Sequence, residues 1–244
     1  MLNMPKNMSV TSLQFSASKR YQENLDKLLS HIYKHRDSDI IVAPEVCLSG
    51  MDLKHLETAS KFSIMALKVL KKKIDKQILV FTIIVKKGDY FVNQAVVIHN
   101  HKIVHKQDKS KLFKLGDEDL YFLAGKEKSI TIFEIDNIKY AILICFELRF
   151  KHLWQQIDGA DIVIVPARWG ILRKSHLDIL TKALAVLNQC YVIVSNANDS
   201  DMASSSAIIS PMGESVYDDS LEAVDGEIDF REIKKMRRYI VVKD

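Results

Sequence analysis

The sequence predicts an α/β protein with amphipathic helices outside paired sheets. Three observations carry that prediction. Short β-rich runs alternate with helical stretches from one end of the chain to the other. Some of the runs are continuously apolar, as strands buried on both faces are, and others are paired across two-residue turns. The helical stretches each carry one apolar stripe, which must be buried against such a sheet.

Residues 9–15 read as the first strand, and residues 21–33 as a helix whose Leu25, Leu28, Leu29 and Ile32 recur at the 3.6 period. Ile40 to Ala43 is an unbroken apolar run, the mark of a doubly buried strand. Residues 62–73 form a second helix, with Phe62, Met65, Ala66, Val69 and Leu70 inward and lysines outward. Residues 78–85 and 90–99 flank a Gly88-Asp89 turn, a hairpin signal. The second half repeats the alternation. Residues 130–135 and 139–144 pair across Asp136-Asn137, then a helix near 150–157, a strand at 161–166, a helix at 175–188 and a strand at 191–195 follow. Ala207 to Ser210 and a Pro211-Met212-Gly213 turn lead to a last strand near Ser215. No linker or shift in composition divides the chain, so the expectation is one domain over residues 1–244.

Composition excludes several classes. At 244 residues, 48% hydrophobic and 27% charged, with 8 Gly and 4 Pro, the chain is neither disordered nor collagen-like. Three widely spaced cysteines argue against a disulfide framework and for a reducing, cytoplasmic setting. The start, MLNMPKNMSVTS, lacks the apolar core of a signal peptide, and no run approaches the length of a membrane span. The net charge of +4 hides an asymmetry: residues 68–114 hold 12 Lys against three acids, Asp75, Asp89 and Asp108. Without interleaved aromatics or a binding module, that excess reads as a solvated helix face and not as a nucleic-acid footprint.

Three positions could carry chemistry. Cys145 ends the apolar run from Tyr140 to Ile144, where a strand end presents a thiol to a cleft and following backbone N–H groups can bind an oxyanion. Alone, such a cysteine reads as core packing. Glu45 follows the buried Ile40 to Ala43 strand and is a candidate general base, or a carboxylate accepting loop N–H groups. Lys109 by itself is one lysine among many. No glycine-rich phosphate loop or dinucleotide fingerprint is present, and the His31/His35 pair lacks the context of a zinc site, so neither cofactor nor metal is expected.

In order along the chain, Pro44-Glu45, Lys109-Ser110-Lys111-Leu112-Phe113 and Ile144-Cys145-Phe146-Glu147-Leu148-Arg149-Phe150 resemble the motifs of the nitrilase superfamily of carbon–nitrogen hydrolases. Glu118-x-x-x-Phe122-x-x-Gly125 resembles its second glutamate motif. Gly159 to Ala167 with Trp169, and Ser206 to Gly213, resemble later family segments, so the likeness covers about residues 9–238. It implies a four-layer α/β/β/α sandwich, a homo-oligomer (dimer or higher) and a cofactor-free amidohydrolase. The implied substrate is a small linear amide, carbamoyl compound or ω-amide. It implies Glu45, Lys109 and Cys145 as a catalytic triad working through a thioester, with Glu118 holding Lys109 or the substrate. The Phe146 N–H would face the oxyanion, Arg149, Arg168 and Trp169 would meet the substrate, and one of Arg149, Arg168 and Arg173 would recognise an anion. The alternatives are acyl transfer from the same thioester to an amine, and a non-catalytic relative that binds a metabolite or partner. Two departures stand out. Lys111 takes the place of the usual His, and Leu184 and Leu187 replace an Arg and a Glu whose i, i+3 spacing predicts one shared, repacked face.

Overall fold

The runs that are apolar without interruption become the central strands of two six-stranded sheets. The computed structural model describes residues 6–242; the first residues of the opening segment and both ends of the 1–244 domain assignment lie outside them. In chain order the strands are β1 (Asn7–Leu13), β2 (Ile40–Val42), β3 (Ile78–Lys87), β4 (Tyr90–His99), β5 (Lys102–Asp108), β6 (Phe133–Ile135), β7 (Ile138–Ile142), β8 (Ile162–Ala167), β9 (Tyr191–Asn196), β10 (Ala207–Ile209), β11 (Ser215–Tyr217) and β12 (Ala223–Asp229). The helices are α1 (Tyr21–Lys34), α2 (Leu56–Lys73), α3 (Glu118–Tyr121), α4 (Lys151–Gln156), α5 (Lys174–Leu187) and α6 (Phe230–Tyr239).

One sheet runs β12-β1-β2-β3-β4-β5 and the other β11-β10-β9-β8-β7-β6. Each has a parallel centre, β1-β2-β3 and β7-β8-β9, with antiparallel strands at its flanks. Strand alternation assigns the layers. Ile40 and Val42 pack inward with Val80, Val97, Tyr140, Ile142 and Val165 of the core shared by the sheets. Their neighbours Ile41 and Ala43 face the other way, onto Leu25 and Leu28 of α1 and Ala66 and Leu70 of α2. On the far side, Leu177 and Leu184 bring α5 onto the second sheet. The result is an α/β/β/α sandwich. The Ser195 hydroxyl donates to the Leu13 carbonyl at 2.6 Å, and the Ser12 hydroxyl donates to the Val194 carbonyl, so β1 and β9 are bonded across the interior.

Four elements went unread in the sequence: the single-turn α3, and β5, β12 and α6. β5 is an edge strand whose Lys102, Val104 and Lys106 face solvent, so its composition is polar. β12 carries Asp225, Gly226 and Glu227 in its middle and pairs antiparallel with β1. α6 is mostly Arg and Lys, with a narrow stripe of Phe230, Ile233 and Met236 buried. The α5 expectation is corrected. Leu184 is fully buried, whereas Leu187 is 61% exposed, because a 3.6-residue turn carries three residues past the edge of the buried stripe. Only one of the two leucines fills core.

Candidate active site

The site is assembled from chain segments that leave the ends of strands. Glu45 follows β2, Cys145 follows β7, and Arg168 and Trp169 follow β8. These are the carboxyl ends of the parallel strands, where open α/β sheets present their loops to ligands. Lys109 comes off β5, its N–H still donating to the Asn93 carbonyl at 2.8 Å as an extension of the β4–β5 ladder. Its own carbonyl accepts from Gly125 N–H at 2.8 Å. A Cβ at Gly125 would sit 2.5 Å from the Asp108 carbonyl oxygen, which accounts for a glycine there.

The Lys109 ammonium donates to Glu45 Oε1 at 2.7 Å and to Glu118 Oε1 at 2.8 Å, with all three side chains buried. Burying one cation between two carboxylates is tolerable only because each charge is bonded. Asn93 Nδ2 also donates to Glu45 Oε1, at 2.7 Å, and Phe113 N–H donates to Glu118 Oε2 at 2.9 Å. Glu45 Oε2 and Asn93 Oδ1 are buried with no partner among the described residues. Burial alone would push the Lys109 ammonium down in pKa; the charges of Glu45, Cys145 and Glu118 reverse that and hold it above the ordinary lysine value. Burial also raises Glu118, against the pull of Lys109.

Cys145 stands at φ +48°, in the left-handed region, at the head of a single 3-10 turn, Cys145–Arg149. Burial and then the Glu45 charge raise its thiol well above the ordinary value, while Lys109 and the Arg168 backbone N–H work in the opposite direction. Cys47 and Cys190 are buried in the packed layers, and burial pushes each up to about 12.

Phe113, Cys145, Phe146, Arg149, Arg168, Trp169, Gly170 and Arg173 line one cleft. Phe146, Arg149, Arg168 and Trp169 are thus brought to the thiol. Arg168 has its guanidinium bonded to Asp199 at 2.7 Å, so what it turns toward the sulfur is backbone N–H. Trp169 donates its indole N–H to the Arg173 carbonyl at 2.7 Å. The guanidinium of Arg149 lies 4.6 Å from the Trp169 ring centre, and that of Arg173 lies 5.2 Å from the Phe113 ring centre. Among the described residues neither guanidinium has a carboxylate partner. Burial lowers Arg149, and the nearby Arg173 charge lowers it further. Lys111, in the position of the usual His, pairs with Glu127 and lies 4.7 Å over the Phe150 ring.

Two contributors were missed in the sequence. Asn93 was hidden within a strand, although Asn93-Gln94 is a polar pair inside an apolar run. Glu147 was absorbed into the cysteine motif, although it is fully buried.

The family model for carbon–nitrogen hydrolase matches residues 9–238. A 2-oxoglutaramate amidase of Bacillus subtilis is 32% identical, over 97% of this chain and 96% of its own. The omega-amidase YafV of Escherichia coli K12 is 25% identical, over 82% of this chain and 80% of its own. Among solved structures, Saccharomyces cerevisiae Nit3, of the nitrilase superfamily, superposes with a TM-score of 0.85 at 20% identity, covering 98% of this chain and 96% of that one.

Proposed function

Because the chain belongs to the carbon–nitrogen hydrolase family, we propose that Glu45, Lys109 and Cys145 form its catalytic triad and that it hydrolyses the ω-amide of a small dicarboxylate, releasing ammonia. The observation that carries this reading is the buried Glu45–Lys109–Glu118 chain beside the Cys145 thiol, with one Glu45 oxygen left unbonded.

An amide carbonyl is a poor electrophile, so its cleavage needs an activated nucleophile, a stabilised oxyanion and a protonated leaving nitrogen. Glu45 Oε2 takes the thiol proton as Cys145 sulfur bonds to the carbonyl carbon. The Lys109 ammonium and the Phe146 N–H meet the oxyanion. Glu45 returns the proton to the amide nitrogen, the carbon–nitrogen bond breaks, and ammonia leaves a thioester on Cys145. Glu45 then takes a proton from water, whose oxygen attacks the thioester; the carbon–sulfur bond breaks and the thiol is restored. Glu118 keeps Lys109 in register through its 2.8 Å bond to the ammonium.

The ω-amide preference is supported by Arg149 and Arg173, two guanidiniums in the cleft of Cys145 without carboxylate partners among the described residues, which suit the far carboxylate of such a substrate. The names of the relatives point to the same class. Its three free cysteines fit a cytoplasmic setting. Self-association is supported by exposed Ile179, Val186 and Leu187 of α5 and Met212 beside them. The test is ammonia release from 2-oxoglutaramate against an amide of equal length ending in methyl. Release from the acidic amide, at least about tenfold faster and lost in Cys145→Ala, is expected; equal rates would remove the anionic-end reading.

A further inference from the structure

Glu147 is a buried carboxylate that the reaction above does not use, and all its bonds run to the two segments that carry the reacting groups. Its Oε1 accepts from the Ser110 N–H at 2.6 Å and from the Ser110 hydroxyl at 2.8 Å, and its Oε2 accepts from the Ile144 N–H at 2.7 Å. Ser110 is the residue after Lys109, and Ile144 is the residue before Cys145. We infer that Glu147 is a positioning residue whose carboxylate clamps the Lys109 segment to the Cys145 turn, fixing the ammonium and the thiol relative to each other. The inference rests on the catalytic reading of Lys109 and Cys145.

The bonding pattern suits an anion. Two backbone N–H groups, which can only donate, and the Ser110 hydroxyl converge on Glu147. Burial holds Glu147 above the ordinary carboxylate value, against the pull of the Ile144 N–H, the Ser110 N–H and hydroxyl, and the Lys109 charge. The clamp is also short. It joins the two segments through one side chain, where the backbone alone would connect Lys109 to Cys145 only through the long stretch containing β6 and β7. A cysteine held at positive φ has a conformation its neighbours must enforce, and the Ile144 N–H bond anchors the residue that enters that turn. A carboxamide of the same shape offers one acceptor oxygen, so Glu147→Gln must set its NH2 against either Ile144 or Ser110.

The test compares wild type, Glu147→Gln and Ser110→Ala, each confirmed folded by its thermal transition, for the rate at which iodoacetamide alkylates Cys145, read by peptide mass spectrometry. Turnover of 2-oxoglutaramate is measured alongside. In Glu147→Gln, alkylation at Cys145 and kcat are expected to fall by about 10- to 100-fold with KM within about twofold, the scale of a small misplacement of reacting groups. Wild-type rates in the folded variant overturn the inference. If Glu147→Gln does not fold, Ser110→Ala, which removes one of the three bonds, decides: a fall in both rates at an unchanged melting temperature supports the clamp, and no change overturns it. If wild-type Cys145 reacts no faster than Cys47 and Cys190, it is the catalytic reading that fails, and the clamp falls with it.

Discussion

Lys109 is the residue on which the site's electrostatics turn, since it is the one cation between two buried carboxylates. Lys109→Ala should lower turnover at least about 10²-fold, the scale for losing one oxyanion donor, as steady-state kinetics on the folded variant will show. It should also unfold at lower temperature, because Glu45 and Glu118 are left buried without their counter-charge. Cys145 yields a pH prediction with a definite sign. Its thiol lies above the ordinary value, raised first by burial and then by the Glu45 charge. Thiolate absorbance of wild type should therefore develop above the usual cysteine range, and Glu45→Gln should move that titration down. A shift upward would contradict the proximity of Glu45 to the sulfur. Glu45, Lys109 and Cys145 were legible because their motifs occur in family order. Asn93 and Glu147 were not, because their importance lies in the groups they bond, the Glu45 carboxylate for Asn93 and Ser110 with the Ile144 N–H for Glu147, and Glu45 and Ser110 are distant from them in the chain.

At the level of elements, α6 shows how a polar sequence can still be anchored. Its N-cap is Asp229, whose carboxylate accepts from the Arg231 N–H at 2.9 Å. Asp229→Ala should destabilise the fold by about 1 kcal/mol in denaturant titration. The Arg231 guanidinium holds Asp229 down to about 2 in pKa. A depressed carboxylate contributes its stability above the unfolded value and loses it as the pH falls through about 2, so the wild type and Asp229→Ala should converge in stability only in strong acid. The strap between Lys109 and Gly125 is tighter. Gly125→Ala should lower both melting temperature and kcat, because the new methyl meets the Asp108 backbone and displaces the adjoining lysine. The strands with continuous apolar runs were readable because both of their faces are buried. β5, β12 and α6 were not, because each packs only one narrow side and shows water a polar one.

For the molecule as a whole, the layered arrangement and the Ser12 and Ser195 bonds between β1 and β9 argue that the two halves of the chain are one cooperative unit. Calorimetry should show a single transition with no separate melting of either half. The whole-molecule expectation for α5 is that Leu187→Glu, on an exposed face and away from the cleft, reduces association in sedimentation without changing the catalytic constants of the remaining species. The alternation of elements foretold layers; which strands close each sheet was beyond it, since β12 joins β1 from more than two hundred residues away. That pairing has a bearing on biosynthesis. The first sheet lacks its edge until the ribosome has delivered the segment ending at Asp229, so β1 emerges early and waits with one side unpaired for nearly the entire translation. Phe230 N–H then bonds the Lys6 carbonyl at 3.2 Å, so the step that seats β12 beside β1 also sets the start of α6.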